Sequence, residues 1–121
     1  MYYINDFEVG HEVDDKVEIT EELHKGFVTL SGDDSPIHVD HDFCKRTSFG
    51  RPIGHAFLIT TLLSKIYGKI FPGGSELCLS QTCNFKRPFF IGDTLNYHLR
   101  VIHKNVDLDL VTIKTEVRNQ N

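Results

Sequence analysis

One segment constrains this chain more than any other. His55-Ala56-Phe57-Leu58-Ile59-Thr60-Thr61-Leu62-Leu63-Ser64-Lys65-Ile66-Tyr67-Gly68 is its most apolar stretch. Apolar residues cover most faces of its helical wheel, so it reads as one largely buried helix that stops at Gly68. It is far shorter than the roughly 20 residues that cross a bilayer. A single apolar helix cannot bury itself and demands a sheet that wraps it. Val13 to Ile19 reads as a weak strand, and Leu77 to Phe90 as a long one that ends at Pro88 and the turn Gly92-Asp93. Thr94 to His103 alternates through Leu95, Tyr97, Leu99 and Val101. Leu108 to Val117 alternates through Leu108 and Leu110, then Val111, Ile113, Thr115 and Val117. Short connections predict an antiparallel meander. The expected layout is α+β, with one helix laid across a curved antiparallel sheet.

The 121 residues are enough for one domain, taken as 1–121, and exclude a two-domain enzyme. No repeat or linker divides the chain. With 40% hydrophobic and 25% charged residues, it can bury a core without disulfides or metals. A net charge of −4 without a Lys/Arg cluster argues against nucleic-acid binding. Nothing suggests a membrane span. Met1 to Phe7 lacks the basic start and apolar run of a signal peptide. Cys44, Cys78 and Cys83 are odd in number and lack metal-ligand spacing, which predicts free thiols and a cytoplasmic protein.

Polar chemistry gathers before the apolar helix. Thr20 reads as an N-cap, with Glu21 and Glu22 in the first turn. The spacing of Leu23, Phe27 and Leu30 predicts a helix from Glu21 to Ser31, stopped by Gly32. The loop Gly32 to His41 follows, read as irregular because Pro36 disfavours helix at Ser35. A short helical turn is expected around Asp40 to Lys45. Asp33 and His38, five residues apart on this loop, can act as an acid–base pair near neutral pH. The competing reading is that Asp33 and Asp34 cap the next turn and His38 is solvated. His38, Asp40 and His41 form only a weak metal pattern without a third ligand, so no metal is expected. His55 opens the apolar helix, whose first N–H groups can polarise an oxyanion; it can equally serve as a loop cap. Ser64, taken alone, back-bonds to the helix. Lys86 and Arg87 can meet a phosphate or be a solvated strand end.

Three blocks together resemble the MaoC-like dehydratases, and among them the small (R)-specific enoyl-CoA hydratases. They are Ser31 to Asp40 (SGDDSPIHVD), Phe49 to Ala56 (FGRPIGHA) and Phe85 to Thr94 (FKRPFFIGDT). The resemblance runs over residues 5–117, and the first block is the specific one. It implies a hotdog fold, in which the helix is the sausage and the sheet the bun, and a homodimer with its active site near the subunit interface. It implies addition of water to a trans-2-enoyl thioester, giving an (R)-3-hydroxyacyl thioester, and the reverse dehydration. Asp33 and His38 match the family's catalytic pair, which holds one water against the β-carbon. The backbone N–H of Ala56 matches the donor to the thioester carbonyl. Ser35, His55 and Ser64 fall at supporting positions, and Lys86 or Arg87 is assigned the pantetheine or phosphates. No metal, flavin or redox nucleotide is implied; CoA or acyl carrier protein is the substrate's handle.

Three departures accompany the resemblance. Ser35 stands where the family usually has Asn, and Ala56 where it usually has Gly. The chain stops at Asn119-Gln120-Asn121, where relatives continue into one more strand, and a missing strand leaves an exposed sheet edge. These departures motivate the alternative of a non-catalytic acyl-thioester binding protein. A thioesterase is disfavoured, because Ala56 to Gly68 contains no Asp or Glu.

Overall fold

The computed structural model describes residues 3–121. Met1 and Tyr2, which open the stretch inspected for a leader, lie outside them. Three antiparallel strands, β1 (Glu12–Glu18), β2 (Thr94–Asn105) and β3 (Leu110–Arg118), form a sheet in the order β1-β2-β3. Among the described residues there are four α-helices: α1 (Glu21–Ser31), α2 (Pro36–Val39), α3 (His41–Lys45) and α4 (Ala56–Lys65). A wider π turn, Ile66–Ile70, continues α4.

The alternation in β2 gives the sheet its inner face. Leu95, Tyr97, Leu99 and Val101 are each 2% exposed or less. Each such burial contributes about 1.5–3 kcal/mol. Val17 pairs with Leu95 and Val13 with Leu99 on one side; Val117 pairs with Tyr97 and Ile113 with Val101 on the other. A bulge between Val101 and His103 ends the alternation. α4 lies against this inner face through Leu58, Leu63 and then Ile66 of the π turn. The Tyr97 hydroxyl donates to the Ile59 carbonyl at 2.9 Å, joining sheet to helix. Burial pushes the Tyr97 phenol up, so it remains a donor. Asp15, on the inner side of β1, meets Lys65 at the far end of α4 at 3.4 Å.

α1 has the expected bounds. Thr20 Oγ1 accepts from the Leu23 N–H at 3.1 Å, and Gly32 adopts a left-handed φ of 75°. Its buried face differs from the expected stripe, however. Leu23 and Phe27 pack on the core, Leu30 is exposed, and His24 is buried at 4% exposure.

Three further expectations are corrected. The loop after Gly32 is not wholly irregular, because Pro36 takes the first position of the single-turn helix α2, where its missing N–H costs nothing. α4 buries one face rather than most of them; Phe57, Thr61 and Ser64 form an exposed stripe. Residues 76–89 form no strand. Among the described residues, the pairing in this region is an isolated bridge between Ile53 and Phe90. An extended segment becomes a strand only when a neighbour takes its N–H and C=O groups. Among the described residues no neighbouring strand does so before Phe89, and Leu77 is left 81% exposed. β3 is likewise an edge.

Two close approaches seat the loop before α4. The Gly54 N–H donates to the Phe89 carbonyl at 2.7 Å, and a Cβ on Gly54 would come within 2.2 Å of the Phe89 ring. Asp93 is buried; its carboxylate accepts the Phe90 N–H at 3.0 Å, and its carbonyl accepts the Ile19 N–H at 2.8 Å. These bonds tie the turn before β2 to the end of β1. Gly54→Ala is therefore expected to destabilise the protein by roughly 1–3 kcal/mol, since the buried ring must move. Gly26→Ala, on open helix surface with no neighbour within 4 Å, is expected to stabilise it by about 0.5–1 kcal/mol. Urea midpoints of the two variants check both signs.

Candidate active site

The site begins where α1 ends. The left-handed Gly32 turns the chain, and Ser31 holds the next residue. Its Oγ accepts the Asp33 N–H at 3.1 Å and donates to the Phe27 carbonyl at 2.7 Å. Asp33 Oδ1 accepts the Ser35 N–H at 3.1 Å and the Ser35 hydroxyl in a short bond. One turn of α2 then delivers His38, whose own N–H donates to the Ser35 carbonyl at 2.8 Å. Asp33 and His38 thus come together, with Asp33 Oδ2 at 3.9 Å from His38 Nε2. The carboxylate is 43% exposed and the imidazole side chain 13%.

Carbonyl partners set the histidine tautomers, because a carbonyl only accepts. His38 Nδ1–H donates to the Ile53 carbonyl at 2.8 Å, which leaves Nε2 as a bare lone pair facing Asp33. His55 Nε2–H donates to the Asp33 carbonyl at 3.0 Å. The His55 ring is 3% exposed and stacks on His38, with centroids 3.8 Å apart and planes at 23°. The Phe27 ring lies 4.8 Å from it, tilted at 58°. Burial holds the His55 imidazole below its ordinary value, against the opposing effect of its bond to the Asp33 carbonyl. The Ser35 hydroxyl, and after it the Ser35 N–H, holds the Asp33 carboxyl below the usual carboxylate range. Nearby His38 and His55 act in the same direction more weakly.

With His38 in this neutral tautomer, the site presents a carboxylate oxygen and an imidazole lone pair, both acceptors. At 3.9 Å they are too far apart to bond each other. They are close enough for one water to donate a hydrogen bond to each at about 2.8 Å. Such a water keeps its oxygen lone pairs turned outward.

α4 begins beside this pair. His55 occupies the N-cap, but its side chain does not cap the helix, and the first turn holds no acid. The Ala56 N–H accordingly stands at the positive end of the helix dipole. Ser64 lies on the exposed stripe of α4, about 12 Å along the axis from Ala56. Lys86 and Arg87 lie exposed on the unpaired extended segment. Asp40 caps α3 through the Phe43 N–H at 2.9 Å, and neighbouring His41 is exposed. Asp33, His38 and His55 each offer a metal-ligand atom within 4.8 Å of the others. His55 is poorly disposed for that role, with Nε2–H turned to a carbonyl and Nδ1 buried. Cys44 is buried with its thiol toward the Ile37 carbonyl at 3.3 Å, and all three cysteines are free. No described helix is long and apolar enough to cross a membrane.

Sequence reasoning passed over His24. Its Nε2 meets the His38 carbonyl at 2.8 Å, and its ring lies 5.1 Å from that of His55. The available signal was a polar residue beside Leu23 and three before Phe27, on the inward side of an amphipathic helix.

Comparisons with known proteins give the family and the fold. Residues 6–121 match the family described as "MaoC like domain". An (R)-specific enoyl-CoA hydratase of Aeromonas caviae is 35% identical over 94 residues, covering 78% of this chain and 70% of that protein. A 3-hydroxybutyryl-CoA dehydratase of Methylorubrum extorquens is 37% identical over 101 residues, covering 84% and 64% respectively. The solved (R)-hydratase of A. caviae superposes with a TM-score of 0.89 at 32% identity, over 94% of this chain and 86% of that one. The unliganded R-hydratase of Pseudomonas aeruginosa superposes at 0.87 and 32%, over 98% and 76%. The helix-on-sheet arrangement is the hotdog fold of these structures.

Because the Ser35 hydroxyl is the largest influence on Asp33, Ser35→Ala is expected to raise the Asp33 pKa toward the ordinary value of about 3.9. The sign for stability follows. A depressed folded pKa supplies stability that is present above the ordinary value and is lost as pH falls through the folded one. The wild-type loop should then keep its order to lower pH than the variant. Carboxyl carbon-13 shifts followed against pH check this, and identical Asp33 titrations in both proteins would contradict it.

Proposed function

The chain belongs to the MaoC-like domain family, and from that premise we propose that it adds water to a trans-2-enoyl thioester and catalyses the reverse dehydration. The product is an (R)-3-hydroxyacyl thioester. The observation that carries this reading is the facing pair, Asp33 Oδ2 and His38 Nε2 at 3.9 Å, both in acceptor form. A water donating to both presents its oxygen to the β-carbon. As the new C–O bond forms, one of the pair takes the water's proton, and the π electrons move toward the α-carbon and thioester oxygen. A proton is then returned to the α-carbon, and the enolate collapses to the saturated thioester.

The Ala56 N–H is the proposed donor to the thioester oxygen, where negative charge accumulates. Ser35 keeps Asp33 ionised and fixed. His55 holds the Asp33 backbone and supports the His38 ring. Lys86 and Arg87 are available to the phosphates of a CoA or carrier-protein handle. The chemistry calls on no metal, flavin or redox nucleotide.

The reading extends to a homodimer. Exposed Phe57, Leu77, Leu79 and Phe85 give α4 and the unpaired segment an apolar outer surface of the kind a partner covers. Sedimentation equilibrium should return twice the chain mass, and a monomer at micromolar concentration would remove this part of the proposal.

The main test follows the absorbance of the conjugated enoyl thioester with crotonyl-CoA and then with longer 2-enoyl-CoAs. Wild-type protein should consume it. Asp33→Asn and His38→Gln should each slow the reaction by about 10²–10⁴-fold with unchanged melting curves. Unchanged turnover in both variants would sink the assignment of the pair. Tight acyl-CoA binding without hydration would replace it with the acyl-binding reading, and release of free CoA with a thioesterase.

A further inference from the structure

We propose that His24 is a positioning residue for the hydration, holding His38 through its backbone carbonyl; this rests on the hydratase reading given above. His38 is held at three points. Its N–H goes to the Ser35 carbonyl at 2.8 Å, and its ring Nδ1–H to the Ile53 carbonyl at 2.8 Å. Its own carbonyl accepts from His24 Nε2–H at 2.8 Å. Only the third bond reaches α1, the helix whose C-terminal end carries Asp33. His24 therefore couples the two members of the pair, one placed by the end of α1 and the other by the turn of α2.

The surroundings of His24 favour this role over simple packing. The residue is buried, yet its Nδ1 has no hydrogen-bond partner among the described residues. An aliphatic side chain would fill this place on the helix without stranding a buried nitrogen. The polar ring is accounted for by the single bond it makes, and that bond ends on the backbone of His38. His24 also sits 5.1 Å from His55, whose ring stacks on His38 at 3.8 Å. His24 and His55 each direct Nε2–H at a backbone carbonyl of the catalytic loop. Only His38 directs a bare nitrogen at Asp33. Without the His24 bond, the His38 backbone is free to rotate on its remaining ties, and Nε2 leaves the line to the shared water.

The test compares His24→Leu, which removes the donor, with His24→Gln, whose amide can reach the same carbonyl. His24→Leu should lower kcat roughly tenfold, well within the ~10²-fold that 1 Å of misplacement can cost. KM should stay within about twofold, because the lost contact acts on the reacting pair rather than on substrate binding. His24→Gln should recover most of kcat. Nitrogen-15 spectra of the histidine rings give a second readout that does not depend on turnover. His38 should be an Nδ1–H tautomer in the wild type and shift toward a mixture in His24→Leu. Wild-type kcat in folded His24→Leu, a His24→Gln enzyme as slow as His24→Leu, or unmoved His38 ring signals would overturn the proposal. Wild-type protein inert toward every enoyl thioester would overturn the hydratase reading alone, and the ring signals would then decide the role of His24.

Discussion

The hydrogen bond from His38 Nδ1 to the Ile53 carbonyl is the contact on which the rest of the site depends. It selects the tautomer, and so decides that the nitrogen facing Asp33 is a base rather than a donor. It also binds two segments far apart in sequence, the turn of α2 and the approach to α4. Ile53 completes the link by donating its own N–H to the Ile37 carbonyl at 3.1 Å. Beyond it, Gly54 is pressed against Phe89, and Asp93 pins the turn at Phe90 to the sheet. The position of the base is therefore inherited from the strands through a short series of backbone contacts. Charge attraction contributes little to that placement, because the histidines spend their N–H groups on neutral carbonyls.

How much of this is legible in the sequence depends on how local the cause is. The bounds of α1 are legible because Thr20 and Gly32 act within one turn of the helix ends. β2 is legible because its alternation matches its burial residue for residue until the bulge. The pairing of Asp33 with His38 is legible as a spacing and as a family pattern, and Ser35 between them is visible as a donor. Other features depend on distant neighbours. Residues 76–89 have the composition of a strand, yet a strand is a relation between two segments, and no local pattern supplies the second. Pro36 reads as a breaker, whereas its position decides whether it ends a helix or starts one. The inward face of α1 turns on whether Leu30 or His24 meets the core, and the seating of α1 settles that. His24 escapes assignment for the same reason, and what His55 supports is not legible, since their partners are carbonyls that bear no side-chain signature.

The start of α4 shows what the site exchanges for its function. A Ser, Thr or Asp at position 55 would bond an N–H of the first turn and stabilise the helix by about 1 kcal/mol. His55 does not, because its ring turns away to hold the Asp33 carbonyl. That choice forgoes the cap, and it has two consequences at the same place. Asp33 gains a rigid backbone support, and the first turn of α4 keeps its positive end clear of a side-chain acceptor. In the proposed reaction the enolate oxygen develops charge near a carboxylate, which repels it. An uncapped helix start with no acid in its first turn supplies the opposing field. Ala56 keeps its backbone N–H while adding a methyl beside it, so the approach to the donor is narrower than glycine would leave it. The side chain at 56 then bears on which thioesters reach the donor, while the chemistry itself stays with Asp33 and His38.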